Sequence, residues 1–370
     1  MLIAEGVAFR DRSLVPIWEK VLAGDRLDFE DGVTLLRTVD LPALGRMADH
    51  VARARNGDRV QFVVNRQINP TNLCVLSCVF CDFAAKPGDA HAYEQSLEEV
   101  LAQVSDELSE VHIVGGLHPK WPFARYLEIV REIHRNFPTV QIKAWTAVEI
   151  DWFARLEKTS IEDILIQLKE AGLRTLPGGG AEVFSDRVRK ETFKTKIGRE
   201  RWFEVHRAAH RMGIMTNATL LYGHIETLAE RVDHMIQLRE AQDGRDPSAA
   251  GFQSFIPLAL QPGNTGLAER QASVLEDLRT VACARLLLDN FPHVKAYWVM
   301  LGEDSAAMAL NFGASDLDGT IGEEKIAHLA QATSPVGVAR ERLIQMIQDA
   351  GKVPVERDAL YNVVQVWEAA

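Results

Sequence analysis

Cysteine is scarce, with four residues in a chain of 370. So few in so long a chain do not form the disulfide framework by which small secreted folds replace a hydrophobic core. Basic residues are in deficit, 41 Lys and Arg against 52 Asp and Glu, which gives a formal net charge of −11. That argues against a nucleic-acid surface, because phosphate binding needs a basic face. It leaves room for a local Arg/Lys pocket that takes a small anion. No apolar run approaches the ~18 residues of a membrane span. The start, Met-Leu-Ile-Ala-Glu-Gly, has neither a basic n-region nor an apolar h-region. A cytoplasmic protein with no membrane and no nucleic-acid partner is expected. A fixed short repeat and low-complexity segments are missing. So is a Gly-x-Gly-x-x-Gly phosphate loop after the first strand, which leaves a dinucleotide fold little support.

What is present centres on Asn69 to Tyr93. Cys74, Cys78 and Cys81 fall there in the spacing Cys-x3-Cys-x2-Cys, with Phe80 just before the third. Thiolates are soft ligands suited to iron–sulfur clusters, zinc or copper(I). No fourth cysteine follows until Cys283, which reads as an inert helix face in Ala-Cys-Ala-Arg-Leu-Leu-Leu. A [4Fe–4S] cluster on three cysteines keeps one iron open, by the logic that leaves catalytic zinc sites a free position. The spacing also admits a structural zinc site with His91 or Asp82 as fourth ligand, and hence a non-catalytic metal protein.

Around this loop the pattern reads as α/β. Residues 14–57 are helical, with Leu44, Met47, Ala48 and Val51 recurring at i, i+3, i+4, i+7. From Val60 strands and helices alternate. Strands are expected at Val60–Ile68, Val111–Val114, Val140–Trp145, Leu173–Leu176, Thr216–Tyr222, Phe252–Pro257 and Val294–Val299. Ser96 and Glu99 form a capping box opening a helix to about Ser109. Ser160 and Thr227 cap two more helices. Repeated alternation points to a parallel sheet, either a barrel or an open doubly wound sheet. Chemistry-bearing residues follow strand after strand, which favours a partial (βα) TIM-type barrel, whose βα loops share one catalytic face. Three segments are expected: a helical N-terminal lead-in over 1–59, the barrel with its C-terminal strands and helices over 60–345, and a tail over 346–370 packed on the barrel.

Each cluster on that face has a chemical use and a plainer one. Gly115 and Gly116 let backbone approach a ligand, or simply make a tight turn. Glu149, read as the end of an apolar strand, is placed to accept from ribose hydroxyls. Gly178-Gly179-Gly180-Ala181-Glu182 is too glycine-rich for a routine turn, and Arg187 and Arg189 follow it as candidates to pair a carboxylate. His224, with Glu226 beside it, could donate to a substrate carboxylate or carry a proton, or be satisfied locally.

The Cys-x3-Cys-x2-Cys loop with its aromatic resembles the signature of radical S-adenosylmethionine (SAM) enzymes. Further stretches resemble the aminofutalosine synthase family of the futalosine route to menaquinone: His112-Ile-Val-Gly-Gly-Leu-His-Pro119, Lys143-Ala-Trp-Thr-Ala-Val-Glu-Ile150, Leu176-Pro-Gly-Gly-Gly-Ala-Glu182, Asn217 to Thr227, Gly251 to Leu258 and Asp316-Leu-Asp-Gly-Thr320. The resemblance covers roughly residues 28–345. It implies a [4Fe–4S] cluster on Cys74, Cys78 and Cys81. It also implies SAM consumed as cosubstrate beside Phe80, Gly115, Gly116, Glu149, Glu182 and Arg189, with Glu149, His224 and Glu226 as catalytic candidates. The implied reaction adds a 5′-deoxyadenosyl radical to 3-[(1-carboxyvinyl)oxy]benzoate, with rearrangement and loss of its carboxylate as bicarbonate, and gives 6-amino-6-deoxyfutalosine. The substrate's two carboxylates make Arg187, Arg189, Lys143 and His224 candidates to hold it. A reductant such as flavodoxin or ferredoxin is an implied partner, and a homodimer is compatible with the sequence. Dehypoxanthine futalosine cyclase of the same pathway is the nearest alternative. Two departures from the family's pattern stand out: Phe193-Lys194 where a Pro often precedes the Lys matching Lys196, and Gln331 in place of a usual Gly.

Overall fold

Seven strands pair side by side in the order in which the chain makes them, all parallel: β1 (Asn65–Ile68), β2 (Glu110–Ile113), β3 (Gln141–Ala144), β4 (Leu173–Leu176), β5 (Met215–Tyr222), β6 (Phe252–Ala259) and β7 (His293–Val294). This computed structural model describes residues 2–4 and 6–368. Helices fill the crossovers between strands, as parallel pairing requires. The sheet is the expected partial barrel.

The strands alternate in character along their length, so their two faces differ. In β2 and β3, Val111, Ile113, Ile142 and Ala144 are buried among the core side chains. The residues between them, His112 and Lys143, stand in register with each other and with Gln67 of β1. All three border the cavity inside the barrel. The interior therefore carries a polar row, and apolar packing lies outside it.

The two edges of the sheet are joined by a strand from far along the chain. Asp316–Gly319 bridges to Lys295 just after β7, and its other side pairs parallel with Arg59–Val63, the strand that leads into β1. Backbone bonds continue the closure: Ala296 donates to Asp316 at 2.8 Å and Gln67 donates to Ile321 at 2.7 Å. Arg59–Val63 also pairs parallel with Val353–Arg357, which Val363–Val366 flanks antiparallel. At this end sit three buried ion pairs: Lys143–Glu110 at 2.6 Å, Lys295–Asp318 at 2.9 Å and Arg357–Asp316 at 2.8 Å.

Local signals account for most helix starts. Ser96/Glu99 and Thr227/Glu230 are reciprocal capping boxes, and Ser160 accepts from the amide of Asp163. The lead-in is three helices, Leu14–Ala23, Phe29–Arg37 and Leu41–Asn56, preceded by a small antiparallel pair, Leu2–Ala4 with Val7–Phe9. Helix Leu41–Asn56 packs on helix Val274–Leu287, which buries Cys283.

Three expectations need correction. The helix opened by Ser96 ends at Leu101, not near Ser109. Val60–Ile68 is two strands, Arg59–Val63 and Asn65–Ile68, each serving a different sheet. Val294–Val299 is not a strand beyond Val294: the amide of Ala296 goes to Asp316, and a short helix begins at Trp298. Among the described residues no helix is long and apolar enough to cross a membrane.

Candidate functional site

A cavity of about 310 Å³ opens at the carboxyl ends of the strands, and Cys74, Cys78 and Cys81 all line it. The loop carrying them is held by bonds from several directions. Cys74 donates its amide to Ala85 at 3.0 Å, Val75 donates to Leu117 at 2.9 Å, and Val79 donates to Thr192 at 2.8 Å. The Lys86 ammonium reaches the carbonyls of Cys74 and Leu76 at 2.8 and 2.6 Å. The three thiols are free and half-buried. Burial raises the Cys78 thiol, and pushes Cys81 up to about 11, with the nearby Lys196 ammonium pulling both back. Metal binding would displace those protons.

The donor set fits an iron–sulfur cluster with one open iron. Three soft thiols from one loop border a single cavity. Neither zinc candidate joins them as a ready fourth ligand. His91 does not line the cavity; Asp82 does, with its carboxylate turned onto the amide of Asn264 at 2.7 Å. Among the described residues no three of His, Cys, Asp or Glu gather tightly enough to hold one metal ion.

Beside the thiols, the Gly115-Gly116 turn runs against the start of the cysteine loop. A Cβ on Gly115 would sit 2.9 Å from the Thr71 carbonyl, and one on Gly116 would drive into the carbonyl of Leu73. Only glycine permits that approach. The amides are spent inside the protein: Gly115 donates to Glu149 at 2.9 Å and Gly116 to Thr71 at 2.9 Å. What the turn offers a ligand is therefore its carbonyls, which suit an ammonium group.

Glu149 is not at a strand end. It is the third residue of helix Ala147–Glu157, and its carboxylate closes a capping box with Thr146, accepting from the amide at 2.7 Å and the hydroxyl at 2.8 Å. Burial raises it to about 7, against the pull of its bonds from Thr146 and Gly115. Glu182 follows the three glycines with φ of 48°, a left-handed position unusual for a non-glycine residue. It holds Lys196 at 2.5 Å. The Lys196 ammonium lies 5.1 Å from the centre of the Phe80 ring. Lys196 lines the cavity and was missed as a site residue, because the sequence marks it only as a match to the family's pattern and gives it no partner.

Four candidates lie off the cavity lining. Arg187 is exposed and paired with Glu230 at 2.6 Å. Arg189 turns its guanidinium onto the carbonyls of Lys194 and Lys196, at 3.2 and 2.7 Å, which fixes the Lys196 loop from behind. The Glu226 carboxylate is taken up by the amides of Gly223 and His224 and by Arg231 at 2.7 Å. His224 sits 3.1 Å from Glu226 and 3.0 Å from the carbonyl of Leu221. These residues shape the βα loops and do not face the cavity. Of the cationic substrate candidates only Lys143 lines it, at the floor with His112 and Asn217. His112 finds no partner for its Nε2 among the described residues, and burial lowers it to about 4, which keeps the ring neutral.

Comparison with known proteins agrees with this picture. Residues 68–238 match the Radical SAM superfamily, and residues 249–370 match the CofH/MqnC C-terminal region. The chain is 47% identical to an aminodeoxyfutalosine synthase of Thermus thermophilus over 97% of this chain and 98% of that one. It is 42% identical to a Streptomyces coelicolor aminodeoxyfutalosine synthase, covering 95% and 94%. It is 34% identical to a cyclic dehypoxanthine futalosine synthase of Streptomyces coelicolor, covering 96% and 90%. Among solved structures, methylornithine synthase superposes with a TM-score of 0.73 at 17% identity, over 91% of this chain and 96% of that one, which speaks to the fold.

Proposed function

The chain belongs to the radical SAM superfamily, and from that premise we propose that it is an aminodeoxyfutalosine synthase, joining the 5′-deoxyadenosyl group of SAM to 3-[(1-carboxyvinyl)oxy]benzoate with uptake of water, to give 6-amino-6-deoxyfutalosine, methionine and bicarbonate. The observation that carries the reading is the convergence of three cysteines, the Gly115-Gly116 turn and Lys143 on one cavity. Cys74, Cys78 and Cys81 would hold a [4Fe–4S] cluster, which would supply the electron for reductive cleavage of SAM. A flavodoxin or ferredoxin is the class of donor such a cluster calls for.

The chain's own residues bind, orient and enclose. The glycine carbonyls accept from the ammonium of the SAM methionine part. Glu149, holding the Gly115 amide, keeps that turn in place. At the floor, Lys143 forms an ion pair with Glu110 at 2.6 Å and keeps N–H donors for a substrate carboxylate. His112 and Asn217 add neutral donors beside it. A carboxylate anchored there sends the enol ether toward the thiols, so the alkene meets the adenosyl carbon in a near-attack pose. Leu221, Ile256, Leu258 and Leu260 form an apolar wall that keeps water from a reactive radical.

The test is an anaerobic assay of cluster-reconstituted protein with SAM, dithionite and the enol ether, read by mass spectrometry. A product containing both the adenosyl group and the benzoate, less the lost carboxylate, supports the reading. Free 5′-deoxyadenosine alone, with turnover of dehypoxanthine futalosine in its place, overturns the substrate assignment in favour of the cyclase.

A further inference from the structure

Lys196 stands in an electrostatic position that neither ligand binding nor folding alone explains. Its segment is bonded to the cysteine loop: Val79 donates to Thr192 at 2.8 Å, and the Phe80 and Phe193 rings meet edge to face at 6.2 Å. Its ammonium faces the ring of Phe80, the residue between the second and third cysteines. The Lys196 side chain is 13% exposed and its partner Glu182 11%. Among the described residues that line the cavity, the only other lysine is Lys143, which is committed to Glu110. Lys86 also touches the cysteine loop, but from the solvent side, where its field is screened. Lys196 and Glu182 thus form a buried dipole beside the thiols.

We infer that the Glu182–Lys196 pair sets the reduction potential of the cluster, with the ammonium favouring the reduced state although it ligates no iron. Adding an electron to a cluster adds negative charge, and a fixed cation in a water-poor site stabilises that charge far more than it would in water. Glu182 opposes the effect and holds the lysine in place. Arg189, gripping the Lys196 carbonyl, keeps the segment from drifting away. The inference rests on the cluster assignment proposed above and is independent of the substrate.

The experiment is a redox titration of the reconstituted holoenzyme, followed by electron paramagnetic resonance, with neither SAM nor substrate added. Lys196→Met is expected to make the reduced state at least tenfold harder to populate, a midpoint about 59 mV more negative for a one-electron couple. Lys196→Arg should stay near the parent, Glu182→Gln should move the opposite way, and Lys86→Met should move it less than Lys196→Met. If Lys196→Met fails to take up a cluster, the Glu182→Gln shift alone decides. Parental midpoints in both Lys196→Met and Glu182→Gln, with weakened SAM binding as the only change, would overturn the inference and make the pair a cosubstrate anchor.

Discussion

Gly115 donates its amide to the carboxylate of Glu149 at 2.9 Å, which ties the turn after β2 to the first helical turn after β3. The same carboxylate caps its own helix through Thr146, so one buried acid serves two neighbouring loops.

That acid carries a pH signature. Its folded-state value is raised to about 7, mainly by burial, from an ordinary 4.5. The folded protein therefore binds this proton more tightly than the unfolded chain. The contribution favours folding below the ordinary value and is lost as pH climbs toward 7, a span of at most about 3 kcal/mol. Glu149→Gln should flatten that slope between pH 4.5 and 7, at the cost of roughly 1 kcal/mol for the weakened cap. Urea unfolding of both proteins across this pH range checks it; parallel curves would refute the assignment.

The floor pair gives a second expectation. Lys143→Met leaves Glu110 buried with no cation at contact, and should destabilise by about 3–5 kcal/mol. Adding Glu110→Gln should recover much of that loss, because the buried charge is then gone. A double-mutant cycle by denaturant unfolding measures the coupling; additive effects would mean that the pair does not interact. The double variant, if folded, should also show raised KM for the carboxylate substrate.

Gly116→Ala tests how closely the glycine turn and the cysteine loop fit. The new methyl has nowhere to go except into the Leu73 carbonyl and the Asn72 backbone. The loop must shift, so iron and sulfide content after reconstitution should fall severalfold, with a lower thermal midpoint. Normal cluster content would show that the approach is looser than drawn.

Two arginines separate contact from scaffold. Arg187→Ala removes an exposed, solvent-screened ion pair with Glu230, and should leave KM for the substrate within twofold. Arg189→Ala frees the carbonyls of Lys194 and Lys196 and should lower activity more than stability, by loosening the Lys196 loop. A large KM effect from Arg187→Ala would restore it as a substrate residue.

Much of this architecture is legible in residue pattern. Capping residues and apolar periodicity mark the alternation, because helix starts and strand faces are local phenomena. The cysteines are legible for the same reason: three ligands within one loop need no tertiary knowledge. Where reading failed, local rules competed. Thr146-Ala-Val-Glu149 is itself a Ser/Thr-x-x-Glu box, yet the apolar run before it made Glu149 look like a strand end. Val294 to Val299 carries strand-like composition, but pairing stops where Asp316 claims the next amide. Lys196 is visible only as a match to a lysine of the family's pattern, with no role attached, since its partner Glu182 and the ring of Phe80 meet it only in three dimensions. The parallel pairing of Arg59–Val63 with Val353–Arg357 is equally silent, being the strand pairing most distant in sequence among the described residues.

That last pairing, with the strand Asp316–Gly319 beside it, bears on the order of synthesis. A ribosome delivers the cysteine loop long before it delivers the segments that join the two edges of the sheet. Until residues 316–357 emerge, the nascent barrel is an open sheet with a charged interior, and Glu110 and Lys143 await the rest of their ionic neighbourhood. Contacts so distant along the chain form slowly. A nonsense mutation before residue 316 removes every segment that joins the two edges, and should therefore disturb the pocket around the cysteine loop although the loop itself is intact.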